Sequence, residues 1–178
     1  MESDDFDRDE RSAESPSNGR TTSAESPVPD VLACLLDDDR VAREPLRRLT
    51  ALLERLALSR ERPARAPLRE LERLNRALRP TERHRRREAL LCRALHERGV
   101  EGPAEALACE HLRRCALADA LDDLLRRQRA GDPGLWPETR ATAERLAELL
   151  GDHVAFVEGV LVPLALRTLS AFPARPLG

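Results

Sequence analysis

Histidine and carboxylate side chains fall on the apolar face of predicted helices, where a soluble helix normally places carbon. His84 and Glu88 are four residues apart and therefore share one helical face. Seven residues after each of them, Leu91 and Leu95 continue the same stripe, so both polar side chains are expected to point into the core. Such residues on facing helices are typical of a metal site inside a helical bundle.

The other helices carry polar residues on equivalent stripes. His111 follows Leu107 on a second apolar stripe, and Asp39 interrupts a stripe of leucines on the first helix. His153 lies on the stripe of the last helix. His96 is not on any of these stripes, so we expect it on the surface. Oxygen and nitrogen donors among leucines favour iron or manganese, and zinc less clearly. The candidate metal ligands are Asp39, His84, Glu88, His111 and His153.

Leucine steps of three and four residues predict four amphipathic helices joined by short loops. The first begins at Asp30 as its N-cap, with a kink near residues 41–45 because Pro45 lies inside the pattern. The second spans about 68–98 after a loop at 59–67, the third runs from Pro103 to about Ala130, and the fourth starts near Pro137. We predict an all-α fold, an antiparallel up-down-up-down four-helix bundle over residues 30–172. The fourth stripe consists of Leu146, Leu150, His153, Val157, Val160 and Leu164.

Composition supports helices and limits the other options. Of 178 residues, 35% are charged and only 2% aromatic, so the core must be leucine and alanine. Residues 1–29 are acidic and rich in serine and proline, which predicts a disordered tail, and 173–178 form a C-terminal tail. The four cysteines show no CxxC spacing, and the sequence has no export signal. No apolar run approaches the roughly 20 residues of a membrane span. We therefore predict a cytoplasmic protein without a membrane partner. The arginine run at 83–87 lacks interleaved aromatics, which disfavours nucleic acid.

Three motifs resemble the hemerythrin-like, or HHE cation-binding, domains. HRRRE at 84–88 resembles the second-helix motif, and GVEGPAEALACEHLRR resembles the entry into the third helix and matches His111. HVAFVEGVLVPLAL resembles the fourth-helix signature and matches His153 and Pro163. The resemblance covers roughly residues 30–172. It implies a four-helix bundle with non-haem iron, and a small diatomic ligand at the metal.

The chain also departs from the family pattern. Asp39 stands where the first-helix histidine is expected, and Val157 stands where the fourth helix should carry glutamate. Glu158 is one residue off that position, so we expect it behind the ligands rather than among them. Aligning the landmark Pro163 with Arg93 would move the second-helix pair to Arg83 and Arg87. The leucine stripe favours His84 and Glu88, because burying two arginines would be far more costly.

Two functions from different classes follow. The resemblance implies iron, oxygen or nitric oxide sensing or storage, with iron as the cofactor. The alternative is a metal-free four-helix interaction module that has lost the family's di-iron site. No serine or cysteine is placed beside a base in a recognisable pattern, so we assign no catalytic residues and no enzymatic activity.

Overall fold

Helix is the regular secondary structure of residues 28–57 and 63–170, which are the residues that the computed structural model describes. The predicted all-α fold is confirmed. Residues 1–27 of the predicted N-terminal tail, the whole predicted C-terminal tail 173–178 and residues 59–62 of the first loop lie outside the described residues. The helical elements are α1 (Val28–Leu56), α2 (Arg65–Ala77), α3 (Glu82–His96), α4 (Pro103–Ala130), α5 (Trp136–Phe156), a π-helical turn (Val157–Leu161) and α6 (Val162–Ser170).

These elements form the four arms of the bundle. The first arm is α1, the second is α2 with α3, the third is α4, and α5, the π turn and α6 form a continuous fourth arm. α1 packs against the second arm and α5, and α4 packs against the second arm and α5 as well. Between α3 and α4 the chain reverses at Gly99, whose φ of 80° suits glycine. The N–H of Val100 donates to the carbonyl of Leu95 at 3.1 Å, which ends α3 in a Schellman-type turn.

The prediction of one second helix over 68–98 is wrong. That arm begins at Arg65 and is broken between Ala77 and Glu82. Pro80 has no N–H to continue the helical ladder, and Thr81 begins a new helix by accepting a hydrogen bond from the backbone N–H of His84 at 3.1 Å. The break therefore fixes the N-cap of α3 three residues before His84.

The predicted start of the first helix also needs correction. α1 starts at Val28, so Asp30 lies in its first turn and is not the N-cap. The helix then runs through Pro45 without interruption to Leu56. An acidic residue in the first turn still suits the positive end of the helix dipole.

The apolar stripe of the fourth arm shifts by one residue at the π turn. Val160 is 49% exposed, and Leu161 is buried in its place. The N–H of Val162 reaches back five residues to the carbonyl of Val157, which lengthens this turn. A wider turn accommodates Pro163, which lacks an N–H and would crowd the carbonyl four residues earlier in a regular α-helix. The arm consequently continues past Pro163 to Ser170.

The core consists of two leucine clusters on either side of a polar level. The large core cluster includes Leu49, Leu71, Leu121 and Leu146, one from each arm. The small core cluster is built in the same way around residues such as Leu35, Leu95, Leu107 and Leu161. Full burial of each leucine contributes about 1.5–3 kcal/mol relative to exposure. Between the clusters lies the polar layer, which we define as Asp39, His84, Glu88, His111, Arg114 and His153.

The fourth arm has the length and hydropathy of a candidate membrane span. Over Trp136–Leu169 it is long and apolar enough to cross a membrane by length and composition, with a mean hydropathy of 1.6 in an 18-residue window. The same arm carries Leu150, His153 and Leu161 into the interior of the bundle. Core helices of bundles share this composition, because the side that packs inward must be apolar.

Candidate metal centre

Four of the five predicted ligands converge in the polar layer. His84 and Glu88 come from α3, His111 comes from α4 and His153 comes from α5. One ligand atom from each of these residues lies within 4.8 Å of the others. Because His84 and Glu88 are separated by one helical turn, a single helix supplies two of the four groups.

Glu88 is the centre of this arrangement. Its Oε1 lies 3.3 Å from Nε2 of His84 and 3.4 Å from Nε2 of His153, and its Oε2 lies 2.9 Å from Nε2 of His111. The Nε2 atoms of His84 and His153 are 3.4 Å apart. A first-row metal ion about 2.0–2.2 Å from each donor would hold neighbouring donors roughly 3.0–3.5 Å apart. The spacing is therefore compatible with one bound ion.

The lack of hydrogen bonds at these ligand atoms is also compatible with a bound metal ion. Both carboxylate oxygens of Glu88 and Nε2 of His111 are buried, and none of the described residues satisfies them with a well-aligned hydrogen bond. Buried polar atoms normally have a partner. Here the atoms lie close together without aligned hydrogen bonds, an arrangement compatible with ligands around a cation.

Electrostatics keep the carboxylate ionised. Burial alone would raise the pKa of Glu88, but the His111 and His84 side chains outweigh it and bring the pKa down to about 2. Burial opposes protonation of His84, whereas the contact with Glu88 dominates overall and raises the pKa of the imidazole. The Glu88 carboxylate is thus a ready anionic ligand, and it is only 2% exposed.

Asp39 lies in the same layer, outside the four-residue set. It is 1% exposed and its Oδ2 has no hydrogen-bond partner in the described part of the chain. Burial raises the pKa of Asp39 to about 6, although the nearby His153 and His84 act in the opposite direction. Asp39 lines one small cavity together with His84 and His153, so it is the nearest candidate for a fifth ligand.

Glu158 is directed away from the centre. Its carboxylate forms an ion pair with Arg43, and its side chain is 34% exposed. The charge of Glu158 still helps to raise the pKa of Asp39. Val157, the residue in the glutamate position of the motif, is fully buried in the small core cluster and offers no ligand atom.

Two carboxylates behind the histidines were missed at the sequence level. Oε1 of Glu110 lies 2.7 Å from Nδ1 of His153, and Oδ2 of Asp38 lies 3.5 Å from Nδ1 of His84. Carboxylates near the second ring nitrogen orient a metal-binding histidine and raise its basicity. Each lies immediately beside a candidate ligand in the sequence, but neither occupies an apolar stripe, so the periodicity gave no signal.

Arg114 is the third residue that sequence reasoning missed. Only 5% of its side chain is exposed, within the polar layer. It follows Leu107 by seven residues and precedes Leu121 by seven, so the heptad pattern alone could have placed it on the inner face of α4. Burial lowers the pKa of Arg114, although Glu110 and Glu88 counteract this effect.

A groove between α3 and α4 reaches one side of the centre. Its volume is about 950 Å³, and Glu88 and His111 are among the residues that line it. The buried Cys92 also borders the groove, and burial raises the pKa of its thiol to about 11. His96 is exposed at the groove, in agreement with its predicted position off the stripe.

A helical bundle with a buried histidine and glutamate cluster defines a cation-binding helical domain. The family model of the Hemerythrin HHE cation binding domain matches residues 35–165. The chain therefore belongs to that family, and the resemblance inferred from its motifs is confirmed. No curated protein and no solved structure matches the chain.

Proposed function

We propose that the protein binds one non-haem iron ion through His84, Glu88, His111 and His153, with Asp39 as a fifth ligand. The ion would serve to sense or store oxygen, nitric oxide or iron in the cytoplasm. One observation carries the proposal: four buried ligand atoms lie within 4.8 Å of one another. Those of Glu88 and His111 have no aligned hydrogen-bond partner in the described residues.

One ion is favoured over two because the fourth arm lacks the glutamate ligand that the family motif carries there. Val157 has no donor, and Glu158 is engaged with Arg43 at the surface. Bound iron would supply an open coordination position and a redox centre for a small ligand. The protein's own part is to hold three imidazoles around an ionised Glu88 and to exclude bulk water, since His153 and Glu88 are each 2% exposed. The groove beside His111 offers the route of access.

Metal analysis of purified protein tests this function directly. Protein produced with ample iron should contain close to one equivalent, and His111→Ala should remove most of it because Nε2 of His111 has no substitute nearby. His96→Ala is the matched control, since it removes an exposed histidine from the same groove. That variant should retain the metal content of the parent protein.

The Asp39→His substitution tests the site by a gain of metal binding. It restores the ligand type that the family motif carries on the first helix, and we expect higher iron occupancy. Parent protein that contains no metal, and whose melting is unchanged by iron or a chelator, would rule out the proposed site.

The second candidate function is a metal-free helical interaction module. Val157 in place of the motif's glutamate is the observation that favours it, because the hydrocarbon side chain is 0% exposed and completes the small core cluster. In that case Glu88 would serve as the buried counter-charge of the surrounding histidines. The metal analysis separates the two functions.

A further inference from the structure

Arg114 is a buried cation whose hydrogen-bonding capacity is largely unused. Its Nε and Nη1 atoms are buried and find no acceptor within the described ranges. The closest carboxylate contact is Oε1 of Glu110, which lies 3.7 Å from Nη1, beyond hydrogen-bond distance. A guanidinium withdrawn from water is strongly disfavoured unless anions or hydrogen-bond acceptors replace the lost hydration.

Other arginines near this level are held by carboxylates. Arg79 contacts Asp119 at 2.8 Å and Asp122 at 2.7 Å. Arg87 contacts Asp38 at 2.6 Å. Both are more exposed than Arg114 and still have a close partner. The most buried of the three guanidiniums is therefore the one without a close acceptor.

A small cavity, separate from the groove, is lined in part by Arg114. Its volume is about 120 Å³, which exceeds the space that a single water molecule requires. The break between α2 and α3 opens the bundle here, because Pro80 and Thr81 form part of the wall. The cavity is lined by Asp39, His84, Arg114 and His153 from the polar layer.

We propose that Arg114 holds a small oxyanion in this cavity, beside the metal ion, as the co-ligand or substrate of the site. The chemical class is a planar anion of a few heavy atoms, such as a simple carboxylate or bicarbonate. A planar guanidinium offers parallel N–H donors that match two oxygens of such an anion. This inference rests on the proposed metal site, because two cavity-lining histidines are its ligands. A neutral diatomic molecule would not offer the two oxygen acceptors that Nε and Nη1 of Arg114 lack among the described residues.

Calorimetric titration of the iron-loaded full-length protein with sodium formate tests the inference, with iron content measured on the same samples. The parent protein should bind formate. Arg114→Gln should weaken binding about 10- to 100-fold while iron stays near one equivalent, because a charge-assisted paired contact is lost. Arg113→Gln is the matched control, since it removes an exposed arginine from the neighbouring position of α4 and should leave the affinity unchanged.

Arg114→Lys keeps the test decisive if the glutamine variant folds poorly. Lysine retains the charge but lacks the planar pair of donors, so formate should bind more weakly than to the parent protein. This inference is wrong if the iron-loaded parent protein does not bind formate, or if the lysine variant binds formate as well as the parent does. Either result would leave the proposal of the metal site unaffected. Parent protein without metal would overturn both proposals together.

Discussion

In the large core cluster, Leu49, Leu121 and Leu146 come from three arms, and each is at most 2% exposed with no polar atom in its side chain. Further along the same arms, the polar layer buries Glu88 at 2% exposure and Arg114 at 5%. The helical periodicity of the two levels is the same, but the chemistry of the buried face is opposite. Leucine burial stabilises the bundle directly, whereas buried charges are favourable only when they are matched.

The comparison leads us to expect that stability and the proposed metal binding depend on different levels of one bundle. The polar layer is flanked by two leucine clusters, so the bundle can tolerate mismatched charges between them. A metal ion would convert the mismatch into a stabilising contact, because it binds the folded state only. Four experiments test whether the two levels are independent.

The largest effect is expected in the large core cluster. Leu121→Ala should lower the free energy of unfolding by about 2–5 kcal/mol, as truncation of buried leucines does. Iron content should be unchanged, since Leu121 lies outside the polar layer. Urea denaturation and metal analysis provide the two measurements.

Leu112→Ala on the same helix is the control: Leu112 is 73% exposed. Its substitution should change stability by less than about 0.5 kcal/mol. Loss of iron from folded Leu121→Ala would show that the two levels are not separate.

Metal removal should have the next largest effect. A chelator should lower the free energy of unfolding by about 2.7 kcal/mol relative to protein with free metal at a hundredfold excess over Kd. The loss caused by Leu121→Ala should be the same with and without metal to within about 0.5 kcal/mol, because distant sites are additive. Denaturation curves of both proteins in both conditions give the four values. Strong non-additivity would mean that the leucine cluster and the metal site are coupled.

Thr81→Ala should have a smaller effect that links both levels. The Thr81 hydroxyl accepts the N–H of His84 at 3.1 Å, and loss of such an N-cap costs about 0.5–2 kcal/mol. The start of α3 would loosen, so iron affinity should fall as well. Thr50→Ala is the control, because the exposed Thr50 hydroxyl bonds only the carbonyl of Leu46 within α1. If iron affinity is unchanged in Thr81→Ala, the cap does not position His84.

Glu158→Gln should have the smallest effect. Glu158 contacts Arg43 at the surface, and exposed ion pairs contribute about 0–1 kcal/mol. We expect iron affinity to change by less than about threefold in a competition titration against a chelator of known affinity. A loss of tenfold or more would show that Glu158 turns inward and reaches the ion.

The helices and their inner faces could be predicted because leucine spacing reports them directly. The stripe through Leu91 and Leu95 placed His84 and Glu88 on the inner face of α3, where the structure has them. The break at Pro80 was missed because apolar residues continue on both sides of it. The proline followed by a capping threonine was a local signal that the leucine spacing obscured.

The details of the site could not be read in the same way. Periodicity gives the direction of a side chain but not its height along the bundle, which depends on the break after Ala77 and on the π turn. Asp39 reaches the layer but is not in the set of four ligand atoms. The carboxylates of Asp38 and Glu110 approach the histidines from the flanks of the stripes, where charged residues are usually solvated.

The π turn affects which changes in chain length the bundle can accept. The buried residues Val157, Leu161 and Ala165 are spaced by four, whereas a regular seam alternates steps of three and four. Elsewhere, deleting one residue inside a helix rotates everything after it by about 100°. Deleting Gly159 would instead restore the regular alternation and keep the same side chains facing the core, but it would return Pro163 to a regular α-helical turn at a cost of about 3 kcal/mol. A one-residue deletion at this point is therefore expected to keep the packing on both sides when Pro163 is replaced as well.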